Sequence, residues 1–162
     1  MKNRIGLLFL STILMINACQ DYSKTQVIQH SDFKVALPGF VKQEELAEDA
    51  ELEYANRYRN FYVVAFILKD TVGRDSLWTL TTTRISKGLL NPETDSSHKN
   101  GFIESRITGN FKDEKEAIFY RQKLIYQKGK SLLLTVWTRG KERNKNYEGE
   151  MNDILNSFKP VP

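Results

Sequence analysis

One cysteine, two histidines and four prolines are all that 162 residues hold of those types. A lone thiol, Cys19, closes no intramolecular disulfide and supplies no zinc–thiolate cluster. The two imidazoles, His30 and His98, stand 68 residues apart in polar, loop-like stretches. Neither has a second ligand at helix or hairpin spacing, so each reads as a surface histidine and no metal is expected. No Gly-x-Ser-x-Gly nucleophile elbow occurs, and no glycine loop that would cradle phosphates. A dominant charge sign is missing too. The chain has 24 Lys and Arg against 20 Asp and Glu, so a nucleic-acid footprint is not expected. The longest largely apolar run, Ile5 to Ile16, is 12 residues, short of the roughly 20 that cross a bilayer.

That short run has another reading. Lys2 and Arg4 precede it and Asn17-Ala18-Cys19 follows it, which is the layout of a secretory signal peptide. Ile16-Asn17-Ala18-Cys19 resembles the lipobox of bacterial lipoproteins. The resemblance implies removal of residues 1–18 and lipidation of Cys19. It also implies anchorage in the bacterial cell envelope, with the outer membrane as the expected side. A second acyl chain would make such anchoring stable, since each buried methylene adds roughly 0.8 kcal/mol. An uncleaved span, or an ordinary leader with a chance cysteine, would be the alternatives. Cleavage would leave 144 residues and lower the net charge from +4 to +2, because the leader holds Lys2 and Arg4 but no acid. A chain of that length suits one domain held by its core.

Residues 19–31 are polar without a period and read as a tether, leaving 32–162 as a single domain. Phe33, Val35 and Leu37 alternate with Lys34 and Ala36, the pattern of a half-buried strand. Pro38-Gly39 ends it, and Phe40-Val41 could begin another. Leu52 to Asn56 and Phe61 to Leu68 read as a hairpin around Arg59-Asn60. The second run is apolar on both faces, as in a central strand. Trp78, Thr82, Ile85 and Leu89 fall on one helical face, with Asp75 or Ser76 as the expected cap. Residues 91–101 read as a polar loop. Strands are expected over 102–108, 115–126 and 130–138, the last two as an antiparallel hairpin. A charged loop is expected over 139–146. Tyr147, Met151, Ile154, Leu155 and Phe158 then mark the clearest helix, stopped by Pro160. This order predicts an α+β fold, a mainly antiparallel sheet with helices packed on it.

Three stretches carry a wider resemblance: Phe33 to Pro38, Glu45 through Asn56 with Tyr62-Val63-Val64, and Ile154 to Lys159. They resemble the superfamily of the PsbP extrinsic photosystem subunit, the DcrB-like bacterial lipoproteins and a Ran-binding nuclear transport factor. The resemblance implies an α-β-α sandwich and a docking role. No ligand residue carries over.

The remaining candidates are surface features. The acidic run Glu44, Glu45, Glu48, Asp49, Glu51, Glu53 lacks the glycine of a calcium loop and reads as a solvated connection. Asp113, Glu114 and Glu116 read as a turn. Lys141, Arg143 and Lys145 form the one basic cluster, a candidate contact for lipid head groups or an acidic partner, with a solvated loop as the plainer alternative. Tyr58, Tyr62 and Trp137 are candidates for a docking patch. The expectation is a non-enzymatic envelope module, tied to the membrane through Cys19, that binds another envelope protein and needs no cofactor. The alternative is a binder of a small apolar or glycan ligand.

Overall fold

A computed structural model describes residues 24–69, 73–112, 116–127 and 129–162, with the backbone alone for Arg74 and residues 141–145. Cys19 and its lipobox, Asp113, Glu114 and the side chains of Lys141, Arg143 and Lys145 lie outside that description.

Two antiparallel sheets and two helices make up the described residues. The larger sheet has seven strands: β3 (Lys42–Gln43), β4 (Leu52–Asn56), β5 (Phe61–Lys69), β6 (Leu89–Lys99), β7 (Phe102–Phe111), β8 (Ala117–Gln127) and β9 (Lys130–Arg139). Their spatial order is β3-β4-β5-β9-β8-β7-β6. The smaller sheet joins β1 (Thr25–Gln29), β2 (Phe33–Pro38) and β10 (Lys159–Pro160), with β2 in the middle. Helix α1 (Arg74–Lys87) lies on one face of the large sheet, and α2 (Lys141–Ser157) on the other. The α+β expectation therefore holds.

The core sits where α2 meets both sheets. Met151, Ile154, Leu155 and Phe158, four of the five residues of the expected stripe, are buried against Phe33, Val35 and Leu37 of β2 and Leu132, Leu134 and Val136 of β9. Gly140 opens α2 with φ 91°, a conformation that L side chains resist. Its N–H donates to the Ala117 carbonyl at the start of β8 at 2.7 Å, so the helix leaves the end of the central strand β9 on a fixed line. Ser157 Oγ accepts from the Ala36 N–H at 2.9 Å, which ties the far end to β2. On the opposite face Leu77 and Trp78 of α1 pack on Ile103, Leu124 and Leu133.

Several expectations need correction. The tether over 19–31 contains β1, paired with β2 from Thr25–Pro38 to Gln29–Lys34. Its sequence carries no apolar period because neither face of it is fully buried. The polar loop over 91–101 is mostly β6, an edge strand exposed everywhere but Leu89. With no buried face it has no apolar alternation to read. The charged loop over 139–146 is the end of β9, Gly140 and the first turns of α2. Phe40 and Val41 are buried in the turn before β3 rather than forming a strand. Gly73, not Asp75 or Ser76, caps α1, and Leu89 belongs to β6. Strand β7 runs on to Phe111 because Gly109 lets β6 pass close. A Cβ there would stand 3.1 Å from both the Leu90 carbonyl oxygen and the Leu89 Cβ.

Candidate functional site

The register of the large sheet lines up one row of residues across all seven strands: Lys42, Ala55, Tyr62, Trp137, Tyr120, Ile107 and Thr94. Partners in an antiparallel ladder share a face, so the row lies on the face that carries α1. Its centre is aromatic. Tyr62 and Trp137 stack with centroids 5.0 Å apart and planes 12° apart. Tyr120 leans on Trp137 at 5.8 Å. All three rings are half-buried. The Arg139 guanidinium lies 5.8 Å from the Tyr62 ring and 4.7 Å from Phe111. A cation over a ring face is an attractive arrangement that also fixes the ring.

Burial pushes the Tyr120 phenol up to about 12, against a smaller opposing pull from Arg139. The phenol is therefore neutral over the physiological range and serves as a donor rather than as a base. Next to the aromatic row runs a polar one, Ser105, Gln122 and Thr135, all buried. Gln122 Nε2 donates to Thr135 Oγ1 at 3.1 Å, while Gln122 Oε1 and Ser105 Oγ have no hydrogen-bond partner among the described residues. Chemically this face can hold an apolar or aromatic group against rings with polar atoms at one side, which suits binding.

A concavity of about 560 Å³ opens between the small sheet and β4. Ile28, Phe33, Leu52 and Tyr54 line it, with His30, Glu44, Glu45, Glu51 and Glu53 around them. His30 stacks on Phe33 at 4.8 Å and lies 3.5 Å from both Asp32 and Glu51. A hydrogen bond from the Lys130 ammonium, helped by Ser31, holds the Asp32 carboxyl below its usual range. Glu53 accepts the backbone N–H groups of Leu46 and Ala47, so part of the acidic run fixes its own connection. No group of three or more metal-ligating side chains occurs among the described residues.

The other expected residues scatter. Tyr58 is 96% exposed on a 3-10 turn (Arg57–Arg59). His98 is exposed on β6, 68 residues from His30 along the chain. The backbone sets Lys141, Arg143 and Lys145 in the first turns of α2. The sequence alone marks Tyr62 and Trp137, but not Tyr120 and Arg139 as their neighbours. Only the strand register, which no local pattern prints, brings them together.

No family model matches the sequence, and no curated protein does. Solved structures do. The Ran-binding protein Mog1p of Saccharomyces cerevisiae superposes with a TM-score of 0.61, over 84% of this chain and 95% of its own, at 9% identity. LpqN, involved in cell envelope biogenesis of Mycobacterium tuberculosis, gives 0.57 over 91% and 97%, at 13% identity. The cyanobacterial PsbP of Synechocystis gives 0.56 over 86% and 94%, at 10% identity. This is the Mog1/PsbP-like fold. The resemblance seen in three stretches of sequence thus extends to the architecture, and at these identities it establishes architecture alone.

Proposed function

We propose that the chain is an accessory protein of the bacterial envelope, lipid-anchored through Cys19, that docks another envelope protein on the aromatic row. The observation that carries this reading is the row itself: Trp137 in contact with Tyr62 on one side and Tyr120 on the other on a sheet face, with Arg139 beside them. Half-buried aromatics flanked by arginine have the composition of protein-binding hot spots. The fold adds support, since Mog1p is a Ran-binding protein and LpqN takes part in envelope biogenesis. Lys141, Arg143 and Lys145 supply the basic contact of this reading, toward an acidic partner or anionic head groups. Added salt should then weaken capture, and so should reversing those charges. The anchor is tested by Cys19→Ser, because a hydroxyl does not replace a thiol in thioether formation. The variant should lose its acyl label and its partition into detergent, and a retained label would refute the anchor.

A second reading has its own observation. The concavity around Tyr54 and Phe33 has the volume of a small-molecule site. Its rim of glutamates favours a ligand with an apolar part and a cationic or hydroxyl-rich part, a glycan among them. Titration of the protein with amino sugars, followed through tyrosine fluorescence of the parent and of Tyr54→Phe, tests it. Saturable quenching confined to the parent would support this reading over docking.

A further inference from the structure

Strand β6 ends the large sheet, and among the described residues nothing pairs with its outer edge. Free edges of this length invite another strand. The ladder from β6 to β7 runs without interruption from Glu93–Thr108 to Lys99–Phe102. It is broken on one side by the irregularity between Leu90 and Glu93, where Asn91 has φ 48° and Pro92 lacks an N–H. On the other side the Asn100-Gly101 turn closes it, with Gly101 at φ 87°. The usable edge is therefore 93–99, Glu-Thr-Asp-Ser-Ser-His-Lys, all exposed.

We infer that this edge pairs with the same edge of a second copy of the chain, antiparallel about a two-fold axis at Ser96. Three features of the segment carry the inference. Ser96 is its midpoint, so pairing about that residue uses the whole window and nothing outside it. The charge pattern is self-complementary, with acids at Glu93 and Asp95 toward one end and the cation Lys99 at the other. About Ser96, Glu93 of each copy falls opposite Lys99 of the other, while Asp95 faces Ser97. A shift of the axis to Asp95 would set two aspartates against each other, which destabilises a ladder. Finally, the axis stands perpendicular to the sheet and maps like faces onto like faces. The two α1 helices stay on one side of the joined sheet and the two α2 helices on the other. An interface of this kind is isologous and closes on itself.

Seven residues span about 24 Å of strand, and no apolar face is buried. Backbone hydrogen bonds and two ion pairs then hold the contact, and it is reversible. Lys99 keeps its own partner meanwhile, Glu104 at 3.0 Å, which its further ammonium donors permit.

The test is thiol cross-linking of the full chain in its own membranes with a bifunctional maleimide of short reach. Ser96→Cys places two thiols across the axis and should give a cross-linked dimer. Glu93→Cys should not, because its two copies stand roughly 20 Å apart at strand spacing. Added to Ser96→Cys, either Glu93→Lys or Lys99→Glu should cut the dimer several-fold, and the two reversals together should restore most of it. Three outcomes overturn the inference: dimer from Ser96→Cys no greater than from the exposed control Tyr58→Cys, dimer indifferent to both single reversals, or an adduct with a different protein as the main product. The last would assign the edge to a foreign strand.

Discussion

Lys123 Nζ donates to the Leu155 carbonyl at 2.8 Å, joining β8 to the last turn of α2. The lysine is almost wholly buried, over the Phe102 ring at 4.6 Å and 3.7 Å from Glu104. A cation at a helix C-terminus meets the negative end of the macrodipole. The same burial costs the charge its hydration, and desolvation holds the Lys123 pKa below its usual value, with Glu104 opposing.

Lys123→Met should cost about 1–3 kcal/mol at neutral pH, because it leaves the Leu155 carbonyl without its donor. The pH dependence has a definite sign. Above the lowered folded value and up to 10.5, the unfolded chain holds the proton more tightly than the folded one. Stability from this group therefore rises with pH across that window. Urea midpoints of parent and variant at pH 7 and pH 10 should draw apart, with the parent gaining relative to Lys123→Met.

Tyr120 has the opposite sign. Its phenol is pushed up to about 12 in the folded chain, against 10 unfolded. Its contribution is complete below pH 10 and fades as pH climbs toward 12, a loss of about 2–3 kcal/mol. Tyr120→Phe should thus match the parent near neutrality and exceed it in alkali. Paired denaturation curves at pH 7 and pH 11.5 check this.

The α2 anchor and the close passage at Gly109 give two contrasts in stability. Phe158→Ala empties a fully buried site and should cost about 3–5 kcal/mol. Asn152→Ala, on the exposed side of the same helix, should shift the midpoint little. Gly109→Ala should cost about 1–3 kcal/mol, since its methyl meets the Leu90 carbonyl oxygen at 3.1 Å. Equal midpoints for Phe158→Ala and Asn152→Ala would place the wrong face of α2 in the core.

The pieces of this fold that could be read in the sequence are those with one buried face. The stripe Met151, Ile154, Leu155 and Phe158 announces α2, and Phe33, Val35 and Leu37 announce β2, because burial imposes a period. Strand β6 imposes none, so its polar residues look like a loop. Strand β1 has no fully buried residue, and Val27 is 69% exposed. Lys141, Arg143 and Lys145 hide the start of α2, since cations in the first helical turns oppose the macrodipole and carry no cap signal. At the site, Tyr62 and Trp137 could be named one by one. Their contact with each other and with Tyr120 needs three strands in register, a relation between residues up to 75 positions apart.

The docking claim stands or falls on one measurement. A benzoylphenylalanine placed at Tyr58, exposed on the 3-10 turn that leads into Tyr62, should photo-crosslink in intact cells to one discrete envelope protein. The adduct should vanish in a folded Trp137→Ala variant and persist in Asn152→Ala. No discrete adduct, or one indifferent to Trp137→Ala, would contradict docking on the aromatic row.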